Sequence, residues 1–339
     1  MQGNEAERKP VTTARLRQMK TKGEPITVVT AYDYPSAQLA EAAGADVLLV
    51  GDSLGNVVQG RDTTIPVTLD QMIYHTEMVS RAVRVPFVVA DMPFAMYHGS
   101  VDATIQAAAR LMREGGAKAV KLEGGREIAP AVQALANAGI PVMGHLGLTP
   151  QSVHAIGGYK VQGKQPTAAA RLLEDAKRLE EAGIFALVLE LVTDELADRV
   201  TRETSVPTIG IGAGARCDGQ VLVFHDILQY SLRPHPKKFV KTYADIGGAI
   251  RRALAEYVRD VKQRSFPEER HTFRVEQSPA EPLPERLYGG GADEREPSRS
   301  ADGARPGGPE RAERERAERA GTDGAGADAL PVGGKEPKA

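Results

Sequence analysis

Six ionisable residues interrupt runs that are otherwise apolar. Asp52 closes "DVLLVGD", Asp91 lies in "FVVADMP", Lys121 and Glu123 share "AVKLEGG", His145 lies in "PVMGHLG" and Glu190 in "ALVLELV". Alternate side chains of a strand share a face, so Lys121 and Glu123 point one way while Leu122 points the other. Three carboxylates brought together, Asp52, Asp91 and Glu123, repel one another unless they are protonated or neutralised. An oxygen-only donor set, with no cysteine and at most one histidine nearby, favours Mg²⁺ over zinc. Such an ion keeps open positions that a bidentate 2-oxo acid would fill. Lys121 suits a substrate carboxylate or a developing enolate, or it pairs with Glu123. Glu190 has apolar neighbours on both sides in sequence. Burial there would raise its pKa towards the working range of a general base, which makes it the preferred proton acceptor. Taken singly, Asp52 and Asp91 also read as helix caps and Glu190 as the partner of a buried cation. His145 reads equally as a substrate-binding group or as a satisfied core histidine.

A repeated phrase supplies the elements that would position these groups. An amphipathic segment, small residues ending in glycine and a short apolar run recur as "AEAAGADVLLVGD", "MREGGAKAVKLEG", "ALANAGIPVMGHLG" and "LEEAGIFALVLELV". Gly44, Gly116, Gly139 and Gly183 fit the residue just past a helix, where the left-handed conformation costs glycine nothing. Eight strands are predicted, over 26–32, 46–52, 87–93, 119–124, 141–147, 186–192, 207–214 and 221–226. Their near-continuous apolar character suits parallel strands covered on both sides, and the intervening helices predict an α/β protein, a (β/α)₈ TIM barrel. The active face of such a barrel lies at the C-terminal ends of its strands, where the ionisable residues fall. "TLDQMIYHTEMVSRAV" opens with a capping box, Thr68 and Gln71. "TTARLRQMK" predicts an extra N-terminal helix plugging the barrel floor. The link between strands seven and eight is short and glycine-rich, irregular for a barrel; its "IGIGAG" lacks a dinucleotide-binding arrangement.

The chain has 339 residues, 41% hydrophobic and 26% charged, which allows a large core. A formal net charge of -2 favours neither nucleic acid nor an anionic membrane, so a small molecule is the expected partner. A single cysteine, Cys217, excludes an internal disulfide framework and suits a reducing cytoplasm. No stretch approaches the roughly 18 apolar residues of a membrane span, and the N-terminus lacks a signal-like apolar region. We expect a barrel catalytic domain over residues 1–265. Residues 266–339, rich in Pro, Gly, Glu and Arg, have too few large apolar residues to offset chain entropy and are expected to form a disordered C-terminal tail.

At these residues the chain resembles the ketopantoate (3-methyl-2-oxobutanoate) hydroxymethyltransferases of pantothenate biosynthesis. The likeness covers about residues 10–265, carried by "TAYDYPSA", "LLVGDSLGNVVQG", "TIPVTLDQMIYHT", "VVADMPF", "AVKLEGG", "PVMGHLGLTPQS", "GGYKVQG", "LVLELV" and "TIGIGAG" followed by "CDGQVLVFHD". The number, order and spacing of these motifs make it specific. The resemblance implies an Mg²⁺-dependent barrel that transfers a hydroxymethyl group from 5,10-methylenetetrahydrofolate to 3-methyl-2-oxobutanoate, giving 2-dehydropantoate and tetrahydrofolate. It further implies that Asp52, Asp91 and Glu123 serve the metal, that Asp52, Ser53, Asp91 and Lys121 hold the oxo acid, and that Glu190 takes the proton. A large homo-oligomer, commonly a homodecamer, is implied as well. Tyr32 and Asp33 follow strand one and belong either to the substrate or folate rim or to a turn and cap.

Two other readings compete. One is a phosphoenolpyruvate mutase or isocitrate lyase-like Mg²⁺-dependent lyase, but the chain has no "KKCGH"-like cysteine loop. The other is a non-catalytic barrel scaffold with an interaction tail, which leaves the strand-end groups unexplained.

Overall fold

The computed structural model describes residues 8–232 and 237–274, so residues 275–339 of the tail predicted over 266–339 lie outside the described residues. The chain begins with α1 (Thr13–Lys22), β1 (Ile26–Thr30), α2 (Tyr34–Ala42), β2 (Val47–Val50), the short α3 (Leu54–Val57) and α4 (Leu69–Ala82). It continues through β3 (Phe87–Asp91), α5 (Val101–Arg113), β4 (Ala119–Glu123), α6 (Ala129–Asn137), β5 (Val142–Gly147) and the short α7 (Val153–Ile156). It ends with α8 (Pro166–Glu181), β6 (Ala186–Glu190), α9 (Asp194–Glu203), β7 (Thr208–Ile211), β8 (Gly219–Leu222), α10 (Phe224–Ile227) and α11 (Ile246–Gln263). The eight strands are parallel and close into a barrel in sequence order, β8 pairing back onto β1.

Strand alternation divides the core into two layers. Val47 and Leu49, Phe87 and Val89, Ala119, Met143 and Val188 pack together inside the barrel. Leu48, Val50, Val88, Ala90, Val120, Leu122, Leu187 and Leu189 pack outward with the helices. Leu122 is fully buried in the outer layer, as the strand period predicted, and its burial is worth about 1.5–3 kcal/mol. Leu16 and Met19 of α1 join the inner layer beside Ile26, Val47 and Phe87, the first residues of their strands. The N-terminal helix therefore plugs the floor and leaves the opposite end free for chemistry.

Local signals in the sequence produce the expected termini. Thr68 Oγ1 accepts from Gln71 N–H at 3.3 Å while Gln71 Oε1 accepts from Thr68 N–H at 3.0 Å. Gly44, Gly116, Gly139 and Gly183 all have positive φ. The last strand departs most from expectation: β8 starts at Gly219, and the second half of "VLVFHD" becomes α10. Gly219 and Gln220 carry no apolar signal, which hid the start. A Cβ at 219 would press on the Ile26 carbonyl, so glycine permits β8 to approach β1. Phe224 N–H donates to Thr30 Oγ1 at 2.9 Å, drawing the chain out of the sheet into a helical turn. No helix lies between β7 and β8.

Candidate active site at the barrel mouth

The register of the sheet sets which side chains meet. Asp91, the last residue of β3, pairs with Lys121 of β4. Glu123, the last of β4, pairs with His145 of β5, and Gly147 of β5 pairs with Glu190, the last of β6. Lys121 Nζ consequently lies 3.2 Å from Asp91 Oδ1, 3.6 Å from Glu123 Oε1 and 3.2 Å from His145 Nδ1. His145 bridges the cluster, with Nδ1 3.3 Å from Glu123 Oε1 and Nε2 3.4 Å from Glu190 Oε2. Asp52 lies in the loop after β2, because that strand ends at Val50, and its N–H donates to Asp91 Oδ2 at 3.1 Å. Asp52, Asp91, Lys121, Glu123 and His145 are all buried. All six ionisable residues singled out from the sequence meet at one end of the barrel.

Burial makes the charges interact strongly. Burial, then Glu123 and Asp91, push the Asp52 carboxyl up to about 8. Burial also raises Asp91, partly offset by Lys121. For Lys121, burial works against the ammonium, but Asp91, Glu123 and Asp52 outweigh it and hold the proton firmly. Burial would raise Glu123, yet Lys121 and His145 bring it down to about 2. Burial and Lys121 lower His145, whereas Glu123 and Glu190 carry it up to about 9. Raised aspartates beside a lysine and a raised histidine mark a cluster with an excess of carboxylate charge.

Two predicted residues occupy places that the sequence did not reveal. The apolar sequence neighbours of Glu190 predict burial, but its side chain retains 17% exposure. Leu189 lies on the opposite face of β6 and packs outward with the helices, and Leu191 lies past the strand end with a positive φ. Tyr32 is 2% exposed, buried rather than open at the rim, and its Oη lies 2.8 Å from Ser53 Oγ, which places the phenol beside that hydroxyl. Asp33 caps α2, accepting the Ser36 N–H at 2.8 Å. Asp52 and Asp91 cap no helix among the described residues; their side chains turn into the cluster.

Sequence reasoning missed Gln151 and Tyr97, both buried and both uncharged at neutral pH. Gln151 Nε2 donates to Asp52 Oδ2 at 2.8 Å, and its backbone N–H donates to Glu123 Oε2 at 3.0 Å. Tyr97 Oη–H donates to Gln151 Oε1 at 2.6 Å and Oη accepts the Glu123 N–H at 3.3 Å. The available signal was position alone: both residues follow strands at the mouth, in "DMPFAMY" and "GLTPQS".

The donor set fits a hard divalent cation at its two aspartates. Asp91 Oδ1 is buried and faces only the Lys121 ammonium, 3.2 Å away, and Asp52 Oδ1 has no protein donor among the described residues. Oxygen ligands of this kind suit Mg²⁺. Among the described residues, no three His, Cys, Asp or Glu side chains form a ready cation cage. Glu123 accounts for this, since Oε2 accepts from Gln151 and Oε1 faces Lys121 and His145.

A model of the ketopantoate hydroxymethyltransferase family matches residues 10–269. The chain is 55% identical over 278 residues to the 3-methyl-2-oxobutanoate hydroxymethyltransferase of Carboxydothermus hydrogenoformans, covering 82% of this chain and 99% of that protein. It is 57% identical over 259 residues to the protein of the same name from Geobacillus kaustophilus, covering 76% and 92%. Among solved structures it is similar to phosphonopyruvate hydrolase in complex with oxalate and Mg²⁺ (TM-score 0.52, 14% identity, 78% of this chain and 92% of that chain). It is also similar to phosphoenolpyruvate phosphomutase from Streptomyces platensis subsp. rosaceus (TM-score 0.50, 17% identity, 74% and 88%). At such identities the structural likeness shows the barrel fold alone.

Proposed function

The chain belongs to the ketopantoate hydroxymethyltransferase family, and from that premise we propose that it adds a hydroxymethyl group from 5,10-methylenetetrahydrofolate to 3-methyl-2-oxobutanoate. The observation that carries this reading is the meeting of Asp52, Asp91, Lys121 and Glu123 within reach of a glutamate on the next strand but one. Asp52 and Asp91 would hold Mg²⁺, with Glu123 completing the site from behind, through the Gln151 and Lys121 that its oxygens meet. When bound, that ion supplies Lewis acidity that draws charge towards the 2-oxo oxygen and acidifies the C3–H. Lys121 and Ser53 orient the oxo acid, and the ammonium faces its carboxylate or the charge developing on its ketone. Glu190 removes the C3 proton, and His145 Nε2 lies 3.4 Å from its carboxylate as an ion-pair neighbour. The enolate carbon takes the one-carbon unit of the folate, water supplies the hydroxyl oxygen, and 2-dehydropantoate and tetrahydrofolate leave.

The test is direct. Purified full-length protein given both substrates and Mg²⁺ should form 2-dehydropantoate, measured by mass spectrometry. Chelation with EDTA should reduce the rate to background, and added Mg²⁺ should restore it. Absence of product under these conditions would reject the substrate assignment; full activity in EDTA would reject the metal.

A cytoplasmic homo-oligomer is part of the same proposal. Among the described residues no helix is long and apolar enough to cross a membrane. Helix α11 leaves Leu254, Tyr257, Val258 and Val261 exposed along one helical stripe, which supports burial against another copy. Light scattering should report a mass well above the 36.3 kDa of one chain, and Leu254→Glu with Tyr257→Glu should lower it. A monomeric wild type would contradict the assembly.

A further inference from the structure

Gln151 is 3% exposed and uncharged, yet its side chain is wholly committed to the acid cluster and its lining. Nε2 makes two donations, to Asp52 Oδ2 at 2.8 Å and to the Met92 carbonyl at 2.9 Å, while Oε1 accepts from Tyr97 at 2.6 Å. The backbone N–H of the same residue holds Glu123 Oε2 at 3.0 Å. Tyr97 closes the loop by accepting the Glu123 N–H at 3.3 Å.

This wiring fixes the direction of the amide. With the phenol donating to Oε1, both amide hydrogens face acceptors; a flipped amide would set its carbonyl against Asp52 Oδ2 and the Met92 carbonyl and lose both of those bonds. Gln151 is also the only side-chain donor to Asp52 among the described residues. Anchoring Oδ2 leaves Oδ1 of Asp52 free, beside the Asp91 carboxylate that accepts the Asp52 N–H.

We propose that Gln151, oriented by Tyr97, is a positioning residue that holds Asp52 and Glu123 so that the free oxygen of Asp52 is presented, beside the Asp91 carboxylate, to a divalent cation. This rests on the function proposed above. Without the amide, the Asp52 carboxylate is free to rotate, and cation binding must first restore its orientation.

Mn²⁺, which binds oxygen ligands and is visible by electron paramagnetic resonance, tests this on full-length protein without turnover. Gln151→Met, similar in length but unable to donate, should weaken Mn²⁺ binding by about 10- to 100-fold. Gln151→Asn, one methylene short, should not rescue it. Tyr97→Phe, which keeps the amide but removes one of its three anchoring bonds, should lose affinity by a smaller factor of roughly 3 to 10. A purely structural role would lower thermal stability while leaving Mn²⁺ affinity within about twofold of wild type in both Gln151→Met and Tyr97→Phe; that result overturns the proposal. If Gln151→Met does not fold, Tyr97→Phe decides alone. Wild-type protein that binds no Mn²⁺ would overturn the underlying reading of the site, and the positioning role with it.

Discussion

Glu190→Gln should lower the rate of 2-dehydropantoate formation by about 10²- to 10⁴-fold, the usual contribution of a positioned general base. Glutamine keeps the size of the side chain and removes its capacity to take a proton. Glu190 ends β6 with its Oε2 3.4 Å from His145 Nε2, and it makes no contact with Asp52 or Asp91 among the described residues. The loss should therefore fall on kcat, while Mn²⁺ affinity and unfolding midpoint stay close to wild type. Gly147 sharpens this expectation, because a Cβ there would collide with the Glu190 carbonyl oxygen; the backbone beneath the base is held tightly. Steady-state kinetics beside Mn²⁺ titration gives the answer. A Glu190→Gln enzyme within a few-fold of wild-type kcat would remove Glu190 from the chemistry.

Lys121→Met should be costly in two measurable ways. The ammonium is 4% exposed and lies 3.2 Å from Asp91 and 3.6 Å from Glu123, in a cluster where burial already raises Asp52 and Asp91. Removing one partner of a buried ion pair leaves uncompensated charge, at a cost of about 3–5 kcal/mol. Denaturant unfolding measures that loss. Because a cation at the aspartates would replace part of the missing charge, Mg²⁺ should stabilise Lys121→Met more than it stabilises wild type. The surviving activity should show a KM for the oxo acid raised by roughly tenfold or more, since a charge-assisted contact to the substrate is gone. Unchanged stability together with an unchanged KM would show that Lys121 neither balances the cluster nor touches the substrate.

Much of this architecture was written in short-range patterns. The alternation of "AVKLEG" put Leu122 among the helices and Lys121 with Glu123 inside, because period two leaves no other choice in a strand buried on both sides. Glycine after each amphipathic segment marked where helices stop, since few other residues adopt positive φ without strain. What escaped was set by long-range geometry. The start of β8 depends on how closely Gly219 approaches Ile26, a contact between residues 193 positions apart in register. The exposure of Glu190 depends on what stands above the barrel rim, which Leu189 and Leu191 do not reveal. Gln151 and Tyr97 carry no formal charge, so a search for acids and bases passes over them; their importance comes only from the carboxylates they touch.

The central claim is that this barrel mouth takes a proton from C3 of a 2-oxo acid by a glutamate acting beside a cation site. The most direct measurement is exchange of the C3 proton of 3-methyl-2-oxobutanoate in D₂O, followed by NMR without folate. Wild-type protein with Mg²⁺ should replace that proton by deuterium, and either EDTA or Glu190→Gln should slow the exchange to near the uncatalysed rate. Exchange that persists without metal, or that continues undiminished in Glu190→Gln, would contradict the account.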